Sequence, residues 1–184
     1  MAVDLVVHAE LPLHTIPKQA THLAANPQLR VEGLVAAPQS FSPTDLEDLS
    51  RSSFTEDFRC EKDWVVPQQK WGGVRLADLL KLATPLPTAR YVRVHAGNYI
   101  VPLALEEAED ALLADTLNDQ PLTVEHGAPW RLAVAGAACH TSVKWVERLE
   151  LSAEPGENVG ARVAEARKRI HQAQTATSAD NNTE

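Results

Sequence analysis

The chain has 184 residues, 44% of them hydrophobic and 23% charged, which is enough for one buried core and is the composition of an ordinary globular protein. Its formal net charge of −8 argues against nucleic acid or an anionic membrane as a partner of the whole surface, and leaves room for a local basic pocket. Two cysteines allow at most one disulfide, which excludes a disulfide framework.

The start of the chain shows no export signal. "MAVDLVVHAELPLHTIPK" lacks a basic beginning, and polar residues and prolines interrupt its apolar runs. The longest weakly polar stretch, "LAVAGAAC", is far shorter than the about 20 residues that cross a bilayer. We therefore expect a cytoplasmic chain without membrane insertion.

The first predicted elements are two strands and a short helix between them. "LRVEGLV" (29–35) alternates in the manner of a strand. In "SPTDLEDLS", Ser42 is suited to cap a helix, with Pro43 at its first position and Asp45 at the capping-box distance. "FTEDFRC" reads as a strand that places Cys60 on the same side as two phenylalanines, the side expected to be covered.

The second half of the chain continues with short elements. "VRLADLLKLA" (74–83) has helical spacing, and "YVRVHA" (91–96) alternates as a strand. The propensities of "LALEEAEDALLA" (103–114) favour a helix, and "NDQP" is typical of a turn. Two further strands are predicted in "PWRLAVAG" and "KWVERLEL". Short strands mixed with short helices, without regular βαβ alternation, predict an α+β fold.

The character of the sequence changes after this domain, which we place at 1–152. "ENVGARVAEARKRIHQAQ" has helical spacing, and "TATSADNNTE" has almost nothing to bury. We predict that 153–184 forms a C-terminal helix and a disordered tail, a solvated end rather than a binding arm.

Familiar catalytic motifs are missing from the sequence. There is no G-x-S-x-G of a serine hydrolase and no phosphate-binding loop of the P-loop or dinucleotide type. The cysteines and histidines are scattered, without C-x-x-C or H-x-x-x-H spacing, so a structural zinc site is a weak interpretation. Taken alone, Cys60 is either a small buried hydrophobic residue or a metal ligand or nucleophile.

Five blocks in order carry a resemblance that bears on this choice: "LRVEGLV", "CEKDW", "WGGVRLADLL", "LNDQPLTVEHGAPWRLAVAG" and "SVKWVERLEL". Together they resemble the molybdopterin-binding domain of the sulfite oxidase family, which includes the catalytic subunit of the periplasmic methionine sulfoxide reductase. The resemblance spans 29–151 and implies the single mixed domain of that family.

The resemblance implies a molybdenum–molybdopterin cofactor and its ligands. Cys60 matches the cysteine whose thiolate binds molybdenum, as suits a soft metal centre. His126 and Arg131 match positions that contact the pterin, where the guanidinium fork is suited to a phosphate. The matched segment that wraps the cofactor with backbone groups and an ammonium consists of Ser142, Val143 and Lys144.

Each of these assignments has an ordinary structural alternative. Arg131 could instead form a surface salt bridge, and Lys144 could be an exposed strand lysine. His126 could be a solvated residue of a plain turn. For Cys60 the alternative remains packing as a hydrophobic residue.

Further residues are candidates by position. His95 falls where the family often has a polar residue near the metal, and Tyr99 is a candidate for the tyrosine that sulfite oxidases keep beside it. Asn26 is a possible pterin contact. The family's usual proline and glycine after "RL" are here Ala135 and Cys139. These departures affect the substrate pocket more than the cofactor pocket and put sulfite in doubt as the substrate.

The implied function is a molybdenum-dependent oxidoreductase that moves an oxygen atom or two electrons between the metal and a small substrate. The 33 residues after Leu151 are too few for a haem or dimerisation domain, so a separate electron-transfer protein is the expected partner. The alternative is a non-catalytic molybdopterin carrier or interaction module. A zinc-binding structural domain is a more distant third possibility.

Overall fold

Two β-sheets and five helices form the described part of the chain. The computed structural model describes residues 5–13, 15–60 and 64–180, with only the backbone described after residue 173, so 61–63 of the "CEKDW" block and 181–184 lie outside the described residues. The strands are β1 (Val6–Val7), β2 (Leu29–Gly33), β3 (Gln39–Phe41), β4 (Arg51–Cys60), β5 (Trp64–Arg75), β6 (Tyr91–Ala96), β7 (Tyr99–Ala104), β8 (Leu112–Leu117), β9 (Gln120–Pro121), β10 (Arg131–Ala133) and β11 (Arg148–Ser152). The helices are α1 (Lys18–Ala25), α2 (Pro43–Glu47), α3 (Leu76–Leu82), α4 (Leu105–Ala108) and α5 (Val159–Asp180), with a 3₁₀ turn at Cys139–Thr141.

The first sheet has the order β1-β5-β8-β10, with β4 also paired to β5 and β9 to β8. The long antiparallel pair of β4 and β5 brings Cys60 opposite Trp64. The second sheet has the order β3-β2-β11-β6-β7, in which only β2 and β11 run parallel. This mixed arrangement confirms the predicted α+β fold.

Most of the buried apolar side chains form one core, which takes in the inner face of the second sheet and α3. Alternation along the strands places Val92 and Val94 of β6 and Leu149 and Leu151 of β11 on this face. A smaller cluster forms around Phe58 and Trp71 of the first sheet. This smaller cluster lies beneath the cavity described below.

Local signals in the sequence predict α2 and α3 correctly and one further helix incorrectly. The capping box of α2 is present, because the Ser42 N–H donates to Asp45 Oδ2 at 2.7 Å and the Asp45 N–H donates to Ser42 Oγ at 3.4 Å. The helix predicted over 103–114 is wrong: α4 has only four residues, and β8 begins at Leu112. Buried pairing of β8 with β5 and β10 outweighs the helical propensity of this segment.

The C-terminal helix is present as α5, and it extends further than predicted. The described part of the expected disordered tail, 175–180, is helical. The helix also packs on the domain: a Cβ on Gly160 would lie 2.7 Å from Val101 Cγ2 and 2.9 Å from the Tyr99 hydroxyl. The start of α5 is therefore a wall of the domain rather than a solvated end. Of the helices in the described ranges, none is long and apolar enough to cross a membrane.

We predict that Gly73→Ala destabilises the fold more than Gly72→Ala. Strand β5 has a register shift between these glycines where it pairs with β8. A Cβ on Gly73 would overlap the Leu113 carbonyl oxygen and lie 2.7 Å from Ala114 Cα, whereas a Cβ on Gly72 would meet the rotatable side chain of Thr116. Urea unfolding should show a loss of about 1–3 kcal/mol for Gly73→Ala. Equal losses for the two variants would contradict this explanation.

Candidate functional site

A cavity of about 430 Å³ lies where the N-terminal segment, the end of β4, the 139–145 segment and α5 meet. Its lining combines apolar and aromatic side chains with a few polar groups, which is typical of ligand sites. Of the predicted site residues, the structure brings five to this cavity: Cys60, Tyr99, Arg131, Ser142 and Lys144.

Two thiols meet in the cavity. Cys60 ends β4, Cys139 begins the 3₁₀ turn, and both are half-buried. Their Sγ atoms lie 3.2 Å apart, which is beyond the disulfide bond length of about 2.05 Å. The strand parity predicted from the sequence is confirmed, because Cys60 points to the same side as Phe58 and into the cavity.

Arg131 is the most buried charge of the site, with only 4% of its surface exposed. Its guanidinium lies over the Trp71 ring at 4.7 Å and the Phe58 ring at 5.3 Å from the centroids. The Nε–H donates to Ser142 Oγ at 2.9 Å, and Nη1–H donates to the His126 carbonyl at 3.2 Å. The surface salt bridge considered for Arg131 is therefore excluded.

The positive charge of Arg131 is not compensated by a carboxylate among the described residues. Burial lowers its pKa to about 10, and only the nearby Cys139 opposes this effect. A buried cation without an anionic partner carries a desolvation cost that a bound anion can offset. An anion with several hydrogen-bond acceptors would also form charge-assisted hydrogen bonds with the guanidinium fork.

Lys144 adds a second, partly buried cation. Its Nζ donates to the Glu125 carbonyl at 2.6 Å and lies 5.8 Å from the centroid of the Trp145 ring. Burial first, and then repulsion from Arg131, lower the pKa of Lys144 to about 8. The alternative of an exposed strand lysine is wrong, because the side chain lines the cavity.

His126 lies behind these cations rather than in the lining of the cavity. Its Nδ1 is buried and has no hydrogen-bond partner among the described residues. Burial, followed by the charges of Lys144 and Arg131, lowers the pKa of His126. Its backbone carbonyl, rather than its ring, contacts Arg131.

Tyr99 and Val143 help to position the 139–145 segment. The Tyr99 hydroxyl lines the cavity and donates to the His140 carbonyl at 2.8 Å. The side chain of Val143 belongs to the main core. Its N–H donates to the Thr141 carbonyl, and its carbonyl accepts from the Leu132 N–H. Val143 does not belong to the described lining of the cavity, and its expected backbone contact with the cofactor stays a prediction.

Two predicted cofactor contacts lie away from the cavity. His95 is on the opposite face of β6 from Ala96, which does line the cavity, and its exposed fraction is 3%. Its Nε2 is 2.9 Å from Glu150 Oε2 and its Nδ1 is 2.9 Å from an Arg148 nitrogen. Asn26 is an exposed C-cap of α1. The structure therefore gives neither residue a place at the cavity, and alternation of side chains along β6 is the reason for His95.

The contribution of α5 to the cavity was not predicted from the sequence. Val163, Ala164 and Arg167 of this helix line the cavity. With Gly160 they follow the i, i+3, i+4, i+7 spacing of one helical face, a signal that was available in the sequence. The wall that they form faces the N-terminal segment, where Gln19 of α1 also lines the cavity.

The charge of the cavity is opposite to that of the chain. Its described lining contains the cations Arg131, Lys144 and Arg167 and no carboxylate, although the chain as a whole carries −8. A cleft of one charge sign with low-dielectric walls concentrates ions of the opposite sign. The arrangement favours an anionic ligand.

The described side chains do not form a metal site by themselves. Within the described ranges, no three His, Cys, Asp or Glu side chains are grouped to hold a metal ion. A metal at this cavity would therefore need ligands from a cofactor in addition to the thiols of the cavity.

Comparisons with known proteins identify relatives of the chain. A family model described as oxidoreductase molybdopterin binding domain matches residues 14–159. The uncharacterized oxidoreductase YuiH of Bacillus subtilis (strain 168) is 33% identical over 129 residues, covering 68% of this chain and 65% of YuiH. A nitrate reductase [NADPH] of Fusarium oxysporum is 32% identical, covering 71% of this chain and 18% of the reductase. A sulfite oxidase of Arabidopsis thaliana is 26% identical, covering 68% of this chain and 42% of the oxidase.

A solved structure shows the same fold. The crystal structure of the sulfane dehydrogenase SoxCD from Paracoccus pantotrophus superposes with a TM-score of 0.66 at 26% identity, covering 71% of this chain and 39% of that chain. The chain thus spans less than two thirds of the length of each of these relatives.

We predict that anion binding by the cofactor-free protein weakens as the pH rises through about 8. A bound anion favours the charged form of Lys144, and this charge is lost above its pKa of about 8. Sulfate does not titrate in this range, so its stabilisation of the fold, measured as the shift in Tm, should fall between pH 7 and 9.5. Lys144→Gln should show a smaller shift without this pH dependence.

Lys168→Gln, which removes an exposed lysine of α5, is the matched control and should behave as the unsubstituted protein. Without sulfate, the contribution of Lys144 to the stability of the fold changes with pH in the opposite direction. Lysine in the unfolded chain titrates near 10.5, so the unfolded chain binds more protons between pH 8 and 10.5 and the contribution of Lys144 to stability rises with pH there. An identical pH dependence in Lys144→Gln would contradict the role of Lys144.

Proposed function

We propose, on the premise that the chain belongs to the oxidoreductase molybdopterin binding domain family, that it is a molybdenum-dependent oxidoreductase. The reaction moves an oxygen atom or two electrons between the metal and a small substrate. The resemblance to the sulfite oxidase type and the expected molybdopterin cofactor are confirmed by the family match and by the relatives. The observation that carries the proposal is a thiol, Cys60, in a cavity whose buried cations have no carboxylate partner among the described residues.

The residues of the cavity fit this cofactor. Cys60 offers a single soft sulfur ligand for molybdenum. Arg131 and Lys144 offer charge-assisted hydrogen bonds to the anionic groups of a pterin, and within the described residues neither forms a salt bridge with a carboxylate. The buried Nδ1 of His126 is a further polar atom without a partner in the described part of the chain.

When bound, the molybdenum cofactor supplies the redox chemistry, because the metal can change its oxidation state by two electrons. The chain holds and orients it. Arg131 is pre-organised by the Trp71 and Phe58 rings and by Ser142, so little conformational freedom is lost on binding. The α5 wall and the N-terminal segment line the cavity with largely apolar side chains, and low-dielectric walls of this kind strengthen electrostatic contacts.

The hydroxyl proton of Tyr99 is donated to the His140 carbonyl. This bond holds the 3₁₀ turn and directs the tyrosine ring to the cavity wall. Tyr99 is therefore a positioning residue in this proposal, and its hydroxyl oxygen can still accept a hydrogen bond from a substrate.

The partner of the reaction is proposed to be a separate electron-transfer protein, and the substrate a small molecule. The printed names of the relatives include nitrate, sulfite and sulfane as substrates of those proteins. For this chain, the cations of the cavity favour a small anion. The cytoplasmic location expected from the sequence stays a prediction.

We predict that Cys60→Ser removes molybdenum from the protein and abolishes turnover. A serine hydroxyl is a hard and weakly acidic donor, whereas a metal-bound thiol is deprotonated and soft. Elemental analysis of protein made in a host that synthesises the cofactor should find molybdenum in the unsubstituted chain and in the matched control Cys139→Ser. Absence of both molybdenum and a fluorescent oxidised pterin from the unsubstituted protein would exclude the proposed function.

The same molybdenum-loaded protein can be used to distinguish an oxidoreductase from a non-catalytic cofactor carrier. A molybdenum centre that is stably bound, does not react with sulfite, nitrate, a sulfoxide or an N-oxide, and is released to another enzyme would identify a cofactor carrier. Turnover of any of these substrates would identify an oxidoreductase.

We predict that Arg167→Gln weakens the use of anionic substrates. Arg167 lines the cavity from α5 and has no ion pair within the described part of the chain, unlike Arg169, which pairs with Glu165. Loss of one charged contact should raise the KM for sulfite or nitrate roughly tenfold, equivalent to about 1.4 kcal/mol, with a much smaller effect on a neutral sulfoxide.

The matched control is Arg169→Gln, which removes the same charge from the same helix at an exposed position. It should leave KM for all substrates unchanged. Equal effects of the two variants would show that the overall charge, rather than contact at the cavity, is responsible.

A further inference from the structure

The second thiol of the cavity has no role in the proposed function. Cys139 lies 79 residues from Cys60 in the sequence, yet its Sγ is 3.2 Å from that of Cys60. Both thiols line the cavity and are half-buried, so small molecules that enter the cavity reach them. The two elements that carry the thiols come together only in the folded chain.

The surroundings hold the two sulfurs close while leaving room for movement. The Gly136 N–H donates to Glu56 Oε2 at 2.7 Å, which ties the segment before Cys139 to β4, the strand that ends in Cys60. The side of Gly136 on which a Cβ would lie is open, because a Cβ there would meet nothing within 4 Å. A disulfide requires the sulfurs to approach by about 1.2 Å, a distance that rotation of two cysteine side chains and a small shift of this segment can supply.

We propose that Cys60 and Cys139 form a reversible disulfide in the cofactor-free protein, and that this disulfide must be reduced before Cys60 can bind molybdenum. The first part is a property of the two thiols alone. The second part rests on the proposed function.

The oxidant is a small disulfide such as oxidised glutathione. The thiolate of one cysteine attacks a sulfur of the small disulfide and releases one small thiol, which leaves a mixed disulfide on the protein. The thiolate of the other cysteine attacks the protein sulfur of that mixed disulfide and releases the second small thiol. Two electrons pass from the cysteine sulfurs to the small disulfide, and the two thiol protons go to its products.

Bond formation and metal binding exclude each other. A sulfur in a disulfide has no thiolate to give to a metal, because the thiolate is the form that binds. The disulfide would also protect Cys60 from oxidation to sulfinic or sulfonic acid while no metal covers it. Through Cys139, the ability of Cys60 to bind a metal depends on the ratio of thiols to disulfides in the solution around the protein.

The first experiment uses the cofactor-free 184-residue chain in buffers of reduced and oxidised glutathione. Mass spectrometry of the oxidised protein should show the loss of two hydrogen atoms and, after proteolysis without reductant, a peptide that joins Cys60 to Cys139. The Tm should rise by roughly 5–15 °C, because the bond closes a long loop in the unfolded chain. Dithiothreitol should reverse both changes.

Cys60→Ser and Cys139→Ser are the controls, and each should carry at most one glutathione and no internal cross-link. Circular dichroism and the Tm of the reduced variants show whether they are folded. Two thiols that remain in the unsubstituted protein in the oxidising buffer, or two separate glutathione adducts, would overturn the proposed disulfide.

The second experiment offers molybdopterin and molybdate to oxidised and reduced protein and measures bound molybdenum and pterin fluorescence. The unsubstituted protein should load at least tenfold more cofactor after reduction, whereas Cys139→Ser should load equally under both conditions. Equal loading of oxidised and reduced unsubstituted protein would overturn the gating. Loading of neither protein, even when reduced, would overturn both the gating and the proposed function, while the mass measurement would still decide the disulfide.

Discussion

The uncompensated charge of Arg131 is the constraint on which the site depends. A guanidinium almost removed from solvent and without a carboxylate in the described structure is costly, and the protein offsets this cost with two aromatic faces, a hydroxyl and a carbonyl. The smaller apolar cluster around Phe58 and Trp71 exists next to this charge and holds it in place. The result is a well-positioned cation whose charge is presented to the cavity.

The cavity beside Arg131 is lined both by segments inside the region that the family model matches and by a helix outside it. The family model matches 14–159, which ends as α5 begins. The helix nevertheless forms a wall of the cavity, and Gly160 permits its close approach to Tyr99 and Val101. The proposed cofactor contacts thus lie in the matched region, while one side of the cavity comes from a helix beyond it.

Much of the fold and part of the site could be predicted from local patterns, and the errors have physical causes. The capping box of α2 depends on residues three apart, so the sequence was sufficient to place its start. For 103–114, helical propensity was overruled by burial of β8 between two other strands, which is a long-range effect. His95 was placed in the site by its position in a block of sequence, but alternation along β6 directs its ring to Glu150 and Arg148 on the opposite face.

The sequence by itself determined the family, the cysteine that serves as the candidate ligand, and the direction in which its strand presents it. The family and the ligand rest on residue types and on the order of five blocks along the chain, and the direction of Cys60 rests on the two-residue period of a strand. All three can be read from the linear sequence. The tertiary structure alone decided that Cys139 meets Cys60, that α5 covers the cavity, and that Arg131 is buried over Trp71. Each of these contacts joins segments far apart in the chain, and their meeting depends on how two sheets and a helix pack rather than on any pattern within one segment.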